Sequence, residues 1–312
     1  MSKKVLITGA GGFIGANLVR ALLARGDEVH IAHRPQSVQW RLTQVADQLR
    51  KYNVELSDGK AVLKMIEDIQ PEQVFHLAQY GCNPGEDDLV MIRKVIIDGT
   101  AALFEACART NSVKAVINAG SSSEYGSKTT AMKEDMILGP NTPYGCAKAW
   151  ATLYGQYLAY WQKTPIITLR LFSVFGPWDG PARFMPAAIL SCLNGTTLKI
   201  SNPKNRRDFV FVDDVVKAFL LAADNPYAGE IINIGSSRQM TLEEAVQIIF
   251  KQTRVEVKIE TGNAGRSFDK SNIMWQANIS KAKEMLNWSP KFSQEEGIKK
   301  TIKWFYENKS LY

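Results

Sequence analysis

The glycine-rich segment near the N-terminus constrains the fold of this chain more than any other feature. An apolar run of strand character, Lys4–Thr8, leads directly into Gly9, Gly12 and Gly15, and an amphipathic run over residues 16–25 follows. Glycines allow a tight turn and a close approach of the backbone to a ligand. The N-terminus of the following helix offers free N–H groups and a positive dipole to phosphates. The spacing G-x-x-G-x-x-G between a strand and a helix therefore predicts a site for a dinucleotide pyrophosphate.

The overall composition is that of an ordinary globular protein. With 312 residues, 45% of them hydrophobic and 22% charged, the chain can bury a sizeable core. Its longest apolar runs, such as residues 218–223, are too short to span a membrane, and the first strand begins too early to leave room for a signal peptide. The net charge of +7 is spread along the chain, so neither nucleic acid nor a membrane is expected as a partner.

Cysteine and histidine usage predicts a cytoplasmic protein without a metal site. The 4 cysteines include no C-x-x-C pair, which is typical of reduced thiols rather than a disulfide framework. The 3 histidines are not spaced like metal ligands.

Short apolar strands alternate with helical patterns up to residue 171. Strands are predicted at Lys4–Thr8, Glu28–His33, 54–56, 73–78, 115–119 and Ile166–Leu171, and helices near 15–25, 58–69, 89–110 and 144–162. This rhythm predicts an α/β fold with a Rossmann-type doubly wound parallel sheet, whose ligands bind at the carboxyl ends of the strands. Beyond Gly176 shorter elements are mixed, which indicates a smaller C-terminal α+β substrate lobe. We therefore divide the chain into a dinucleotide-binding domain, 1–176, and a substrate-binding lobe, 177–312.

A tyrosine and a lysine stand one helical turn apart where the predicted helix 144–162 begins. The four-residue spacing places Tyr144 and Lys148 on one helix face. An ammonium beside a phenol is expected to lower the pKa of the phenol, which could then exchange a proton near neutral pH. Ser121 ends a predicted strand at the edge where the ligand would lie, and its hydroxyl could hold the substrate oxygen that gains or loses that proton.

Taken in order, these motifs resemble the extended short-chain dehydrogenases/reductases of the nucleotide-sugar epimerase, dehydratase and reductase group. The resemblance covers essentially the whole chain. It is carried by segments 8–15 (TGAGGFIG), 57–58 (SD), 75–78 (FHLA), 121–126 (SSSEYG), 144–148 (YGCAK), 169–177 (LRLFSVFGP), 207–214 (RDFVFVDD) and 278–290.

The resemblance implies a role for each matching residue. Tyr144 is the expected acid/base, Lys148 is expected to lower its pKa and to bind the nicotinamide ribose, and Ser121 matches the catalytic serine or threonine. Arg207 and Arg266 look like the arginines that grip a nucleotide-sugar pyrophosphate, which a planar guanidinium suits. The expected cofactor contacts, besides Tyr144 and Lys148, are Gly9, Gly12, Phe13, Ile14, Gly15, His33, Arg34, Asp58, Leu77, Ala78 and Phe172. The expected substrate contacts, besides the two arginines, are Tyr80, Ser122, Ser123, Ser173 and Arg183.

Departures from the family pattern refine this interpretation. NAD-using relatives carry an acidic residue at the end of the second strand, where this chain has His33 and Arg34, so NADP(H) is favoured over NAD. Dehydratase relatives place an Asp-Glu pair directly after the catalytic residue, where this chain has Ser122 and Ser123. Glu124 is displaced by one position and, on an extended strand end, would point the other way, which disfavours dehydration.

These features favour an NADP(H)-dependent reductase that acts at C4 of a nucleotide-activated 4-keto-(deoxy)sugar. Segments 121–126 and 171–177 look similar to those of the CDP-paratose and CDP-abequose type reductases. The alternative is a nucleotide-sugar 4-epimerase or dehydratase with retained NAD. A non-catalytic regulator of the same superfamily is disfavoured, because both Tyr144 and Lys148 are present. The resemblance also implies a homodimer formed through the helices near 89–110 and 144–162.

Overall fold

A seven-stranded parallel sheet in the order β11-β6-β5-β4-β1-β2-β3 lies at the centre of the molecule. The computed structural model describes residues 2–37, 39–83, 85–262 and 274–312. The strands of these residues are β1 (Lys4–Thr8), β2 (Glu28–His33), β3 (Arg50–Asn53), β4 (Gln73–His76), β5 (Ala115–Ser121), β6 (Ile166–Leu171), β7 (Ser173–Phe175), β8 (Leu198–Ile200), β9 (Arg206–Arg207), β10 (Phe209–Phe211), β11 (Ile231–Ile234), β12 (Met240–Thr241) and β13 (Ile259–Thr261). The strand order reverses between β1 and β4, which is where ligands bind in open parallel sheets.

Helices cover both faces of this sheet, as parallel strands require. The α-helices of the described residues are α1 (Phe13–Arg25), α2 (Gly59–Ile69), α3 (Leu89–Ile92), α4 (Gly99–Ala108), α5 (Pro143–Gln162), α6 (Phe184–Asn194), α7 (Val212–Asp224), α8 (Leu242–Thr253), α9 (Ser280–Leu286) and α10 (Gln294–Glu307). Val5 and Ile7 pack with α1 and α7 on one face, whereas Leu6 packs with α2, α4 and α5 on the other. Side chains alternate between faces along a strand, so an apolar strand can supply both layers.

A smaller layer of short strand pairs and helices stands beside the sheet. It pairs β7 with β10, β8 with β13 and β9 with β12, and its core holds apolar side chains of α6, α8 and α10. Strand β11 and helix α7 also come from beyond residue 176, yet β11 pairs with β6 and α7 covers the main sheet. The predicted domain boundary at residue 176 therefore does not separate the two layers. After the first elements of the smaller layer, the chain contributes another helix and another strand to the main sheet. Within the described ranges, no helix is both long and apolar enough to cross a bilayer.

The predicted fold class is confirmed, and one local prediction is wrong. The third strand is β3 (Arg50–Asn53) and not residues 54–56. It pairs with β2 alone at the sheet edge, and its mostly exposed residues carry no apolar signal. The predicted helix 89–110 is helical from Leu89 to Ala108, although its middle, Arg93–Asp98, is π-helical. The nine-residue 3₁₀ helix Trp40–Gln48 between β2 and β3 was not predicted.

The glycine turn after β1 packs directly against the end of β4. Gly9 has a φ of +71°, and a Cβ placed there would lie 2.5 Å from the carbonyl carbon of Leu77. That backbone conformation is strained for a larger residue, and that contact leaves no room for its Cβ. The turn can therefore lie this close to Leu77 and Ala78 only because position 9 is glycine.

We predict that Gly9→Ala destabilises the protein more than Gly26→Ala. Gly26 has a similar φ of +84°, but nothing lies within 4 Å of a Cβ placed there. Gly26→Ala should cost about 1–2 kcal/mol of left-handed backbone strain, and Gly9→Ala should add about 1–3 kcal/mol for the clash. Urea unfolding of both variants measures the difference. Equal losses would show that the contact with Leu77 relaxes without cost.

Candidate active site

A cavity of about 1060 Å³ opens at the carboxyl ends of the central strands. One wall is the glycine turn and the ends of β2, β4 and β5, and the opposite wall comes from the smaller layer, including Arg207 and Phe209. The cavity is therefore bounded both by the predicted nucleotide-binding sheet and by the layer predicted to hold the substrate. Among the described residues, no group of three or more His, Cys, Asp or Glu side chains is placed to hold a metal ion.

The structure brings most of the predicted cofactor contacts to this cavity. The lining includes Gly9, Gly12, Phe13, Ile14, Gly15, His33, Arg34, Leu77, Ala78, Tyr144 and Phe172. Asp58 does not belong to this lining. Its carboxylate caps α2 by accepting hydrogen bonds from the backbone N–H groups of Lys60 and Ala61, both at 3.1 Å. Both hydrogen bonds go to the same oxygen, Oδ1, and the predicted contact of Asp58 with adenine stays a prediction.

The predicted substrate contacts are divided between the cavity and its surroundings. Ser122, Ser123, Ser173, Arg183 and Arg207 all line the cavity. Tyr80 lies outside the lining and packs against a small apolar cluster that includes Ile92 and Tyr144. Arg266 lies outside the described residues. Five of these predicted contacts therefore share one cavity with the glycine turn.

The catalytic candidates meet at the junction of β5 and α5. Ser121 is the last residue of β5, and Tyr144 is the second residue of α5, whose start is fixed by the Thr142 cap. Lys148 lies one turn further, fully inside the protein, and its Nζ donates a hydrogen bond to the Ala119 carbonyl at 2.9 Å. Burial lowers the pKa of Lys148 to about 8. The spacing prediction that places Tyr144 and Lys148 on one face is consistent with this geometry.

The predicted lowering of the Tyr144 pKa is wrong for this arrangement. Burial raises the pKa of the phenol, and the nearby Cys82 and Glu124 raise it further. A hydrogen bond with Ser121 and the charge of Arg183 oppose this rise without reversing it. The Lys148 ammonium bonds to a carbonyl and lies 5.9 Å from the centre of the Tyr144 ring. Desolvation of the phenol therefore outweighs the nearby positive charge.

Sequence reasoning missed a glutamine that touches the catalytic phenol. Tyr144 donates a hydrogen bond from its hydroxyl to Oε1 of Gln79 at 3.0 Å, and Gln79 donates from Nε2 to Sγ of Cys82 at 3.2 Å. Both Gln79 and Cys82 line the cavity. Its position in the sequence could have indicated a role. Gln79 directly follows Leu77 and Ala78, at the end of β4, where the strand order reverses.

Glu124 is also placed differently from the prediction. Residues Ser122–Glu124 form a 3₁₀ turn rather than an extended strand end. One carboxylate oxygen of Glu124 accepts a hydrogen bond from the Ser121 backbone N–H at 2.7 Å, and the other accepts from Nε of Arg170 at 2.7 Å. Both partners of this ion pair are buried. Glu124 is therefore outside the cavity, as expected, but because the turn directs it to Arg170.

Sequence reasoning also missed Arg41 and Asp179, whose contacts join the 3₁₀ helix Trp40–Gln48 to the cavity. Arg41 donates hydrogen bonds to the carbonyls of Trp178, at 2.7 Å, and Gly11, at 3.4 Å. The buried carboxylate of Asp179 forms an ion pair with Arg183 at 3.2 Å. Burial raises the pKa of Asp179 to about 6. These contacts tie the segment after β2 and the loop after β7 to the glycine turn.

The buried His76 connects elements that lie behind the cavity wall. His76, the last residue of β4, shares hydrogen bonds with the hydroxyls of Thr8 at 2.7 Å and Thr100 at 2.8 Å. Burial, together with the charge of Lys148, lowers the pKa of His76 to about 3. His76 is therefore a neutral bridge between β1 and α4 rather than a proton carrier at neutral pH.

The fold and the site together define a Rossmann-type protein with a dinucleotide-binding turn beside a Ser–Tyr–Lys group. The profile of the NAD dependent epimerase/dehydratase family matches residues 5–235, from β1 through β11. UDP-glucuronate 4-epimerase of Thermodesulfobacterium geofontis is 28% identical to this chain over 318 residues, which cover 98% of this chain and 97% of that protein.

Solved structures agree with this match. UDP-glucose 4-epimerase of Thermotoga maritima, determined with UDP-glucose, has a TM-score of 0.88 at 28% identity and covers 99% of both chains. UDP-glucuronic acid 4-epimerase of Bacillus cereus, determined with UDP-glucuronic acid and NAD, has a TM-score of 0.87 at 26% identity and covers 99% of this chain and 100% of that one. The chain belongs to the NAD dependent epimerase/dehydratase family, whose members are enzymes of the extended short-chain dehydrogenase/reductase type. The resemblance predicted from the motifs is confirmed.

We predict that Arg170→Met strongly destabilises the protein. The substitution leaves Glu124 buried without its cation, which should cost about 3–5 kcal/mol in the free energy of unfolding. Urea unfolding measures the loss, with Asp68→Asn as the control because it breaks the exposed pair between Lys64 and Asp68. That control should hardly change stability. If Arg170→Met behaves like the control, Glu124 does not depend on Arg170.

A second prediction concerns pH. His76 has a lower pKa in the folded protein than its ordinary 6.5, so the unfolded chain binds more protons below that pH and stability falls as pH falls. Between pH 7 and pH 5 this group should remove about 2 kcal/mol. Urea unfolding at both pH values should therefore show a loss in the native protein that exceeds the loss in His76→Leu by about that amount. Parallel losses would mean that His76 is not held neutral.

Proposed function

We propose that this enzyme moves a hydride between a bound nicotinamide and C4 of a nucleotide-activated sugar, and that 4-epimerisation with retained NAD is the first candidate reaction. The observation that carries the proposal is a single cavity that joins the glycine turn, Ser121 and Tyr144 to two arginines, Arg183 and Arg207. The relatives named above support the epimerase candidate, since both structures hold a UDP-sugar and one also holds NAD.

The residues of the turn fit a dinucleotide. A Cβ at Gly9 or Gly15 would run into the backbone of Leu77 or of the turn itself, so the tight shape of the turn depends on these glycines. Helix α1 begins at Phe13, and its N-cap residue, Gly12, supplies no side-chain cap, so the first N–H groups of the helix suit an anionic partner. The nicotinamide, when bound, supplies the hydride acceptor and donor.

The protein's own groups would handle the proton and the substrate. Tyr144 exchanges the proton of the C4 oxygen, and Ser121 hydrogen-bonds that same oxygen. Arg183 and Arg207 suit the pyrophosphate of the substrate, and residues 177–312 supply most of its pocket. Ser122 and Ser123 offer no carboxyl for water elimination, which argues against a dehydratase.

A net reductase that draws on NADP(H) is the second candidate. His33, Arg34 and Arg41 line the cavity at the end of β2 and beyond it, where an acidic residue would bind the ribose of NAD. The guanidinium groups of Arg34 and Arg41 suit the additional phosphate of NADP(H). An enzyme that uses this pool would reduce a 4-keto sugar and release the oxidised cofactor.

A homodimer is part of the same proposal. Helix α5 exposes a row of apolar side chains: Leu153, Tyr157, Tyr160 and Trp161. Trp161 is 78% exposed, which is unusual for so large an apolar side chain. A second copy of the chain is the proposed partner of this face.

Product analysis separates the two candidate reactions. The purified enzyme is denatured to identify any retained nucleotide, and is then supplied with UDP-glucose, UDP-glucuronic acid or nucleotide-activated 4-keto sugars, with and without NADPH. Conversion to the C4 epimer without net change of cofactor supports the epimerase. Stoichiometric consumption of NADPH with a keto sugar supports the reductase.

The control for these assays is Tyr144→Phe, which removes only the hydroxyl. Turnover should fall by about 10²–10⁴-fold, since one general acid/base group is lost. Cofactor affinity, measured by calorimetry, should stay nearly unchanged. Persistent activity in Tyr144→Phe would remove Tyr144 from the proposed reaction.

A further inference from the structure

Gln79 occupies an unusual position beside the proposed acid/base. Its amide oxygen accepts the Tyr144 hydroxyl at 3.0 Å, and its amide nitrogen donates to the Cys82 thiol at 3.2 Å. In this arrangement the nitrogen end of the amide bonds Cys82 and the oxygen end faces the phenol. The backbone that carries Gln79 directly follows the strand end braced by His76.

The contact with Gln79 acts on the proton of Tyr144. A hydrogen bond accepted from the phenol exists only while the phenol keeps its proton, so it stabilises the neutral form. The surrounding groups act in both directions: Ser121 and Arg183 favour the phenolate, whereas Cys82 and Glu124 disfavour it. Lys148, on the same helix, has its ammonium bonded to the Ala119 carbonyl. Gln79 is therefore the neutral acceptor in direct contact with the phenolic hydrogen.

We propose that Gln79 is a positioning residue for hydride transfer: its amide oxygen holds the proton of Tyr144 and sets the pH range in which Tyr144 can take a proton from the sugar. This inference rests on the proposed function. When a sugar hydroxyl approaches, the phenol must leave Gln79 to engage the C4 oxygen. Loss of the amide acceptor makes the phenolate easier to form, and a negative charge at position 79 makes it harder to form.

Two variants of Gln79 should shift the reaction in opposite directions. Gln79→Leu removes the acceptor at similar size, and the midpoint of the pH dependence of kcat/KM should move down by about 0.5–1 pH unit. Gln79→Glu places a carboxylate beside the phenol, and the midpoint should move up. Gln252→Leu, in α8, where the amide donates a hydrogen bond to the exposed Glu295, is the control and should leave the midpoint unchanged. Cofactor affinity and thermal unfolding midpoints report whether each variant is folded.

Opposite shifts support the proposal, and no shift or shifts in the same direction overturn it. A direct measurement covers the case in which the native enzyme converts no nucleotide sugar. In protein labelled with ¹³Cζ-tyrosine, the Tyr144 signal is assigned by its loss in Tyr144→Phe. That signal should move in Gln79→Leu and stay in place in Gln252→Leu at neutral pH. An inactive native enzyme overturns the proposed function, whereas an unmoved Tyr144 signal overturns the role of Gln79.

Discussion

The close contact between the glycine turn and the end of β4 is the constraint on which the site depends. Gly9 can touch the Leu77 backbone only because it lacks a Cβ and adopts a left-handed conformation. The shared hydrogen bonds of His76 with Thr8 and Thr100 hold the two strand ends at this separation. Because the strand order reverses here, the chain leaves β1 and β4 on opposite sides of the sheet. The cavity opens between these diverging segments.

The buried ionisable groups beneath this cavity are hydrogen-bonded within the protein. The Lys148 ammonium is bonded to a carbonyl, and the Glu124 carboxylate is bonded to the Arg170 guanidinium and to the Ser121 backbone N–H. Tyr144 itself is largely buried at the cavity wall, so each hydrogen bond to it has a larger electrostatic effect than it would in water. This balance explains why burial dominates the pKa of the phenol, and why neutral contacts such as that with Gln79 can influence its proton.

The sheet and the centre of the site could be predicted from short sequence patterns, because the strands, the turn and the helix face each depend on neighbouring residues. Lys4–Thr8 and the glycines after it carry their own strand and turn signals, and a four-residue spacing is enough to place Tyr144 and Lys148 on one face. The edge strand β3 was missed since exposed strands need no apolar residues. Other features depend on contacts between residues that are far apart in the sequence. Glu124 bonds to Arg170, which lies 46 positions later, and Arg41 bonds to Trp178, which lies 137 positions later. No single sequence window contains both partners of either contact.

Cofactor preference depends on what each cation gains from the additional phosphate, not on charge alone. Cations near the adenosine attract the phosphates of NAD as well as those of NADP(H), and selectivity is the difference between the two affinities. An arginine discriminates strongly when the absence of the phosphate would leave its donors unpaired. Arg41 already donates to the carbonyls of Trp178 and Gly11 without a ligand, so NAD would leave these donors satisfied. Arg41 therefore gives little discrimination between NAD and NADP(H), although its positive charge attracts the phosphates of both.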